Sequence, residues 1–587
     1  MHILLVASAF NSLTQRVHAE LRDRGHTLDV HLASSDDALR DALGDCAPEL
    51  VIAPMLKRAI PEDVWQKYTC LIVHPGPVGD RGPSSLDWAI SAGVDRWGVT
   101  VLQANGEMDA GDVWASVGFP VPRVGKSDLY RNEVSDAASE AVLLAVDRFA
   151  SGVHAPQPQA QLRNRAAAGT RPSYPQNLRR IRWRRDSTES VLRKLRAADS
   201  SPGVLDELLG DQWHLHGGHP EDELKGRPGE LLATRAGAIC RATVDGAVWI
   251  PELRPRRRAG EPRPFKLPAV QALAGRLPAL PEVSALPELS GLSELSGLSE
   301  SAFVPAADRD RRTWSDIRYR EEGAVGFLSF SFPGGAMSTS HCRRLLDAYV
   351  AACSRPTAVL VLGGTRDFFS NGIHLNVIDA ADDPGAESWA NINAMNDLVE
   401  AVLTTTDRLV VSALGGNAAA GGAMLALAAD EVWCRAGVVL NPHYRLMGLY
   451  GSEYWTYTLP RRVGAEVADR LTQEALPVSA ASGLRLGLVD RLLECCPQEF
   501  PGEVTRSAVR LAKSPGMQER IAAKKQTRER DESVRPLSLY REAELSSMLR
   551  TFSDPDAPYH ALRRAFVRKQ APAETPSHLI RVGATGR

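Results

Sequence analysis

The sequence has few cysteines, and they do not suggest a disulfide framework. Eight cysteines are scattered over 587 residues without a C-x-x-C pair, and the adjacent Cys495 and Cys496 cannot form a normal disulfide with each other. This pattern indicates buried thiols in a reducing compartment, so we expect a cytosolic protein. The 14 histidines form neither an H-E-x-x-H motif nor a tract, and no metal site is expected.

An excess of charge and a long apolar run are absent as well. The formal net charge is -2, whereas a nucleic-acid binder usually carries a basic excess, so no nucleic-acid partner is expected. No stretch approaches the roughly 20 apolar residues that cross a bilayer, so no membrane partner is expected either. The initial MHILLVASAFNSL lacks a charged n-region and a cleavage site, and it predicts a first β-strand instead of a signal peptide.

The chain is too long for one hydrophobic core, so we expect several domains. In the first 156 residues, strand patterns alternate with helix patterns. The apolar runs HILLVAS, TLDVHLA, LVIAPM and CLIVHPG alternate with amphipathic helical patterns at 14–24 and 35–43. This alternation predicts βαβ units and therefore an α/β domain with a parallel sheet over residues 1–156. Ligands of such sheets bind outside the carboxyl ends of the strands.

The rest of the chain divides by composition. After a connector at 157–175, a predicted helix at 182–197 and an alternating pattern at 229–251 indicate a small β-rich domain over 176–266. Residues 267–305 repeat Leu, Ser, Glu, Pro and Gly, which predicts a flexible linker, or else one or two amphipathic turns. A second α/β pattern follows over 306–575, with a Gly/Ala-rich helical segment at 418–429 and a charged, solvated helix at 514–530.

Two polar residues follow strands of the first domain. His74 ends the predicted strand CLIVHPG, and Asp109 follows the strand that begins G-V-T. A histidine and a carboxylate on adjacent strand ends can position a general acid or base. Alternatively, His74 caps a strand and Asp109 begins an ordinary turn.

The segment HPGPVGDRGPSSLDWAI, followed by the G-V-T strand and M-D-A-G-D, resembles the 10-formyltetrahydrofolate-dependent formyltransferases. The resemblance implies that His74 and Asp109 are catalytic, and residues 180–252 resemble the smaller C-terminal domain of the tRNA formyltransferase. One position departs from the family, since Ile72 stands where the catalytic Asn is expected and cannot polarise a formyl carbonyl. The resemblance implies a folate site formed by Met55, Leu56, Arg81, Gly82, Ser84, Ser85 and Asp112.

Two turns of small residues follow strands of the C-terminal part. They read F-F-S-N-G-I-H at 368–374 and G-G-N-A-A-A-G-G-A at 415–423. Such turns can present backbone N–H groups to a developing oxyanion, or they can simply allow close helix–sheet packing.

Together the two turns resemble the crotonase (enoyl-CoA hydratase/isomerase) superfamily. The resemblance implies a thioester oxyanion hole formed by the amides of Ile373 and Gly421. It also implies that hydration is not the reaction, because Met424 replaces one hydratase glutamate and His443 stands near the other.

The segment NPHYRLMGLYGSEYWTYTLPRR brings unusual polar groups to the expected thioester. His443, Tyr444, Tyr450 and Glu453 are candidate catalytic residues, although tyrosines can also fill a core or a dimer contact. We single out Glu453 as the candidate acid or base, because an apolar pocket raises the pKa of a carboxyl towards neutrality.

The order of these domains resembles the HypX/HoxX family of nickel–iron hydrogenase maturation proteins, with matching P-G-x-x-G-D-R-G-P-S-S-L-D-W-A-I and G-L-Y-G-S-E-Y-W segments. The resemblance implies a multidomain α/β fold and synthesis of the carbon monoxide ligand of the hydrogenase iron. The formyl group would pass from 10-formyltetrahydrofolate to coenzyme A, and formyl-CoA would then lose CO. Partners would be these small molecules and hydrogenase-maturation proteins.

Two other functions remain open at the level of sequence. A formyltetrahydrofolate hydrolase with a CoA-binding regulatory domain predicts formate and no dependence on the Tyr/Glu cluster. A non-catalytic scaffold predicts binding of folate and CoA without turnover, and indifference to the loss of His74 or Asp109.

Overall fold

The computed structural model describes residues 1–162, 170–283, 312–572 and 574–580. They form an N-terminal α/β domain, a small β-rich domain and a larger C-terminal α/β domain, in agreement with the predicted fold class. Among the described helices, none is long and apolar enough to cross a membrane.

The N-terminal domain is a six-stranded sheet in the order β2-β1-β3-β4-β5-β6. Strands β1 to β4 are parallel as predicted, but β5 runs antiparallel to both of its neighbours, β4 and β6, so the sheet is mixed. Helices cover both faces; the first begins after Asn11, whose side chain accepts a hydrogen bond from Thr14 N. The strands are β1 His2–Ala7, β2 Thr27–Leu32, β3 Leu50–Met55, β4 Cys70–His74, β5 Arg96–Gln103 and β6 Val113–Pro120. The helices are Ser12–Asp23, Asp36–Cys46, Glu62–Trp65, Ser85–Ala92, Lys126–Leu129 and Ser135–Ser151, with a π-helical turn at Tyr130–Val134.

The small domain consists of two four-stranded sheets, β10-β11-β12-β9 and β14-β13-β8-β7. Its main helix begins at Thr188, later than predicted, because Ser187 caps it and Asp186 accepts from Arg182 N in the preceding turn. The strands are β7 Val204–Leu208, β8 Asp211–His216, β9 His219–Glu221, β10 Leu231–Arg235, β11 Ala238–Ala242, β12 Ala247–Ile250, β13 Glu252–Pro255 and β14 Leu267–Pro268. The helices are Gln176–Arg179, Thr188–Ala198 and Ala269–Ala272.

The first part of the predicted linker is folded. β14 pairs with β13, and Ala269 and Leu273 are buried in the core of the small domain. Packing against this domain therefore continues beyond residue 266, to a bridge between Thr234 and Glu282. Residues 284–305 of the predicted linker lie outside the described part of the chain.

The C-terminal domain has a six-stranded sheet in the order β15-β16-β17-β18-β20-β23, beside a small sheet β19-β21-β22. The predicted strand EVWCRAGVVL is two strands, because Gly437 turns the chain at φ 87°. The predicted helix at 418–429 is a short strand followed by the helix Gly421–Leu427. The charged helix is Met517–Val534 and is largely exposed, as predicted.

The strands of this domain are β15 Ile317–Glu322, β16 Val325–Phe330, β17 Val359–Gly363, β18 Leu409–Leu414, β19 Ala418–Ala419, β20 Glu431–Arg435, β21 Val439–Asn441, β22 Val478–Ser479 and β23 Arg491–Leu493. The helices are Thr339–Cys353, Leu375–Asp379, Pro384–Thr404, Gly421–Leu427, Trp455–Val463, Ala465–Glu474, Ala480–Leu486, Phe500–Ala512, Met517–Val534, Leu537–Ser553 and Pro558–Val567.

The N-terminal and C-terminal domains contact each other through buried and half-buried ion pairs. Arg366 of the C-terminal domain lies 2.9 Å from Asp128 and 2.6 Å from Glu133, and Arg131 lies 2.6 Å from Asp367. The two α/β domains are thus held side by side, with the π-helical turn Tyr130–Val134 at their junction.

Candidate active sites

The first candidate site surrounds His74 at the end of β4. The imidazole is buried, its Nε2 lies 3.0 Å from Asp80 Oδ2, and its Nδ1 lies 3.5 Å from Asp109 Oδ2. Gly76 leaves room for this arrangement, because a Cβ there would lie 2.4 Å from His74 Nε2. A carboxylate beside each ring nitrogen fixes the orientation of the imidazole, as an acid or base requires.

Asp109 reaches His74 from a loop, not from the end of a strand as we had expected. β5 ends at Gln103, and Asp109 follows in the connection to β6 with a left-handed φ of 52°. Its Oδ2 accepts a hydrogen bond from Gly82 N at 3.0 Å, and its carbonyl accepts one from Gln159 Nε2 at 2.8 Å. The carboxylate is therefore held towards His74 by two other parts of the chain.

The predicted folate-binding residues differ in exposure and in their contacts. Arg81 Nη1 lies 2.5 Å from Glu107 Oε1 across the rim, whereas the hydroxyl of Ser85 donates to Pro75 O. The side chain of Asp112 is exposed. The other predicted positions are Met55 and Leu56 at the end of β3, Gly82, which contacts Asp109, and Ser84, whose hydroxyl accepts a hydrogen bond from Tyr174 N.

Ile72 lies on β4, two residues before His74. Residues two apart on a strand point to the same face, so the Ile72 side chain lies beside the His74 ring. Ile72 packs against the apolar cluster of β1 and β3 and offers no donor to the site. The site therefore lacks an amide at this position.

The second candidate site lies where the two small-residue turns of the C-terminal domain meet. A Cβ on Gly372, next to Ile373, would lie 3.2 Å from Gly421 N, so the turns are in contact. Within the described chain, neither Ile373 N nor Gly421 N donates a hydrogen bond to the protein. Two such amides at one place can receive the oxygen of a thioester carbonyl.

Glu453 lies over this pair of turns and is fully buried. Its Oε1 would be only 2.4 Å from a Cβ on Gly421. Its Oε2 accepts hydrogen bonds from Tyr444 Oη at 2.6 Å and from Ser452 N at 3.2 Å. The acid, a phenol and the candidate oxyanion amide of Gly421 thus occupy one small volume.

Burial dominates the acid–base properties of this cluster. It raises the pKa of Glu453 to about 8, the hydrogen bond from Tyr444 opposes the shift, and the charge of Glu544 adds to it. Burial and the Glu453 charge together raise the pKa of Tyr444 well above its ordinary value. A carboxyl that titrates near neutrality is suited to taking up and releasing a proton at physiological pH.

The other two candidates lie outside this hydrogen-bonded cluster. His443 is half-buried, its Nδ1 lies 2.9 Å from Asn441 O, and burial lowers its pKa. Tyr450 is 49% exposed and packs on Trp455, with ring centroids 5.5 Å apart. Neither makes a direct hydrogen bond to Glu453 among the described contacts, so their catalytic roles remain predictions.

The sequence did not single out Asp80 or three residues that hold Glu453. Asp80 lies in the quoted G-D-R-G segment, so its proximity to His74 could have been suggested from that loop. Asn396, Ser452 and Glu544 contact Glu453 or its neighbours. Asn396 and Glu544 come from helices 57 and 91 residues away from Glu453, and no local pattern indicates that contact.

These two sites and their folds define a formyltransferase-like domain joined to a crotonase-like domain. The chain matches the formyl transferase model over residues 2–146, the formyl transferase C-terminal domain over 175–262, and enoyl-CoA hydratase/isomerase over 334–572. It is also 26% identical over 215 residues to methionyl-tRNA formyltransferase of Geobacillus thermodenitrificans, covering 36% of this chain and 66% of that protein.

The similarity to two other proteins covers nearly the whole chain. The hydrogenase maturation factor HoxX of Bradyrhizobium diazoefficiens is 47% identical over 579 residues, which is 98% of this chain and 96% of that protein. The crystal structure of HypX from Aquifex aeolicus in complex with tetrahydrofolic acid has a TM-score of 0.90 and 42% identity, covering 98% of both chains. The chain therefore belongs to the HypX/HoxX family of hydrogenase maturation factors.

Proposed function

We propose that this protein makes carbon monoxide for the hydrogenase active-site iron by transferring a formyl group to coenzyme A and decarbonylating the product. The main support is the buried Glu453 carboxyl, which accepts a hydrogen bond from Tyr444 and lies against Gly421. This domain lacks the glutamate pair of the hydratases, so Glu453 is the candidate acid or base in their place. The tetrahydrofolic acid complex of the related HypX supports folate binding by this chain, and we propose that the folate site lies around His74. Hydrogenase-maturation proteins are the proposed recipients of the product.

The first step belongs to the N-terminal domain. The thiol sulfur of CoA attacks the formyl carbon of 10-formyltetrahydrofolate, the thiol proton is removed, and the C–N bond breaks as N10 gains a proton. His74, oriented by Asp80 and Asp109, is the proposed acid and base. A thiolate is a stronger nucleophile than an amine, which compensates for the absence of an amide at Ile72.

The second step belongs to the C-terminal domain. A base removes the formyl proton, the C–H electron pair remains on carbon as the lone pair of CO, and the C–S pair leaves with sulfur. The thiolate then takes up a proton, so that formyl-CoA yields CO and CoA without net consumption of acid or base. Glu453 and Tyr444 are the proposed proton carriers, and the amides of Ile373 and Gly421 hold the formyl oxygen.

The test is CO release from the full chain given 10-formyltetrahydrofolate and CoA, measured with a haem-protein trap. We expect CoA-dependent CO, and a loss of about 100-fold or more in Glu453→Gln and in His74→Ala. Glu542→Gln is the control, because Glu542 is an exposed carboxylate of the same domain.

The alternatives give different results in the same assay. Formate without CO, unaffected by Glu453→Gln, would identify a hydrolase. Binding of both ligands without either product, and without an effect of His74→Ala, would identify a scaffold.

A further inference from the structure

The backbone that carries Glu453 is held in an unfavourable conformation. Glu453 and Tyr454 have φ values of 62° and 58°, so two consecutive residues with a Cβ lie in the left-handed region immediately before the helix Trp455–Val463. Left-handed φ is uncommon outside glycine, and such a turn persists only where the surroundings fix it. Contacts from outside the turn must therefore determine where the Glu453 carboxyl points.

Glu544 supplies most of those contacts. From the helix Leu537–Ser553, its carboxylate accepts hydrogen bonds from Tyr454 N and Thr456 N, both at 2.9 Å, and from Thr456 Oγ1 at 2.5 Å. The remaining amide of the turn, Glu453 N, donates to Asn396 Oδ1 at 3.2 Å. Glu544 thus caps the N-terminus of the helix that follows Glu453 and fixes the turn that aims it.

The placement of Glu544 is electrostatically unusual. Its side chain is fully buried, and no Lys, Arg or His among the described residues lies within ion-pair distance of it. The charged or titratable groups that interact with it are Arg535, Glu453 and, from the segment before Glu453, Tyr444 and Tyr450. Glu453 itself is faced by Tyr444, by Glu544 and, from the helix Thr339–Cys353, by Cys342.

We propose that Glu544 is a positioning residue for Glu453, because it fixes the left-handed turn that directs the Glu453 carboxyl at the thioester. Its negative charge lies beside the same turn and also acts on Glu453. This proposal rests on the proposed role of Glu453 in proton transfer. It adds a second buried carboxyl, on a different helix, to the acid–base system of the C-terminal domain.

The electrostatic coupling between the two carboxyls supports this role. Glu544 accepts three hydrogen bonds and Glu453 accepts two, and their pKa values are about 7 and about 8, both raised mainly by burial. A negative charge on Glu544 opposes the loss of the proton from Glu453. The two protons leave as a coupled system, so removing one charge must move the titration of the other group.

The first test is an infrared titration of the full chain, following the carbonyl stretch of the protonated Glu453 carboxyl, which is identified by its loss in Glu453→Gln. In Glu544→Gln, the charge is gone and one of the two N–H groups loses its acceptor, because Tyr454 N and Thr456 N bond to different carboxylate oxygens. We expect the Glu453 band to disappear about one pH unit lower than in the unchanged protein. The same loss of charge in Glu542→Gln, on the exposed side of that helix, leaves the titration unchanged.

The second test is the pH dependence of CO release from formyl-CoA. One limb of the pH–rate profile reports the pKa of Glu453. Because Glu544→Gln lowers that pKa, we expect this limb to move to lower pH, whether Glu453 acts as a base or as an acid. Glu544→Asp keeps the charge but withdraws the carboxylate from Tyr454 N and Thr456 N, so we expect an unchanged limb and a lower maximal rate.

The two measurements separate this proposal from the proposed function. Equal infrared titrations in Glu544→Gln and Glu542→Gln would overturn the role of Glu544, whether or not the protein releases CO. A shifted titration in a protein that makes no CO would support the coupling of the two carboxyls and refute the reaction.

Discussion

At the scale of single residues, the candidate chemistry depends on strained backbone positions. Asp109, Ala420, Glu453 and Tyr454 all have positive φ without being glycine, and each borders one of the two sites. Such conformations cost on the order of 1–3 kcal/mol each and need support from neighbouring groups. The hydrogen bonds that Gly82, Asn396 and Glu544 make with these segments provide that support.

Gly421 offers a direct test of the contact between its turn and Glu453. A methyl group there would lie 2.4 Å from Glu453 Oε1, so Gly421→Ala must displace the carboxyl or the turn. We expect at least a tenfold loss of CO release from formyl-CoA, with formyl transfer to CoA unchanged. Gly44→Ala is the matched control, because a Cβ at Gly44 meets nothing within 4 Å. Equal activity of the two variants would contradict the placement of Glu453.

The raised pKa of Glu453 also predicts how stability depends on pH. The folded protein retains the Glu453 proton up to a pH of about 8, whereas the unfolded chain releases it near 4.5. Stability therefore falls as the pH rises between these two values, by up to a few kcal/mol for a fully buried group. Glu453→Gln has no carboxyl to titrate, so its stability does not fall in this way. The unfolding temperature of the variant minus that of the unchanged protein should therefore increase from pH 5 to pH 8. A constant difference over that range would show that Glu453 is not buried as an acid.

At the scale of secondary-structure elements, the sequence pattern predicted where strands and turns lie but not how all the strands pair. The four parallel strands and both glycine-rich turns lie where periodicity and small residues placed them. The reversed direction of β5 was not predictable in this way, because strand pairing depends on the path of the whole connection. For the same reason, Asp109 was expected at a strand end and lies in a loop.

Around Glu453, a contact between near neighbours in the sequence was predictable, whereas contacts from distant helices were not. The sequence places Tyr444 and Glu453 nine residues apart in one segment, and their hydrogen bond joins neighbours along the chain. Glu544 and Asn396 come from the helices Leu537–Ser553 and Pro384–Thr404, and both lie in ordinary helical patterns. A buried polar residue on a helix becomes recognisable only when the packing of that helix is known.

At the scale of the whole molecule, the two sites belong to domains that are fixed against each other. Arg435 lies 3.0 Å from Asp136, and Arg366 pairs with Asp128 and Glu133 in the same interface. These side chains are largely removed from water, so breaking one pair leaves a buried charge without compensation. A close contact between the domains suits the proposed reaction, because its second step uses the product of the first.

Arg366→Ala tests whether this junction matters for the coupled reaction. The change leaves Glu133, which is 4% exposed, without its cation, so the contact between the domains should weaken. We expect faster amide hydrogen exchange in the turn Tyr130–Val134, together with less CO per formyltetrahydrofolate consumed. CO release from added formyl-CoA should be preserved, because Arg366 is not part of the Glu453 cluster. Arg24→Ala removes an exposed ion pair with Asp147 inside one domain and should change neither quantity. An equal loss of CO from both substrates would instead indicate that Arg366 stabilises the C-terminal site itself.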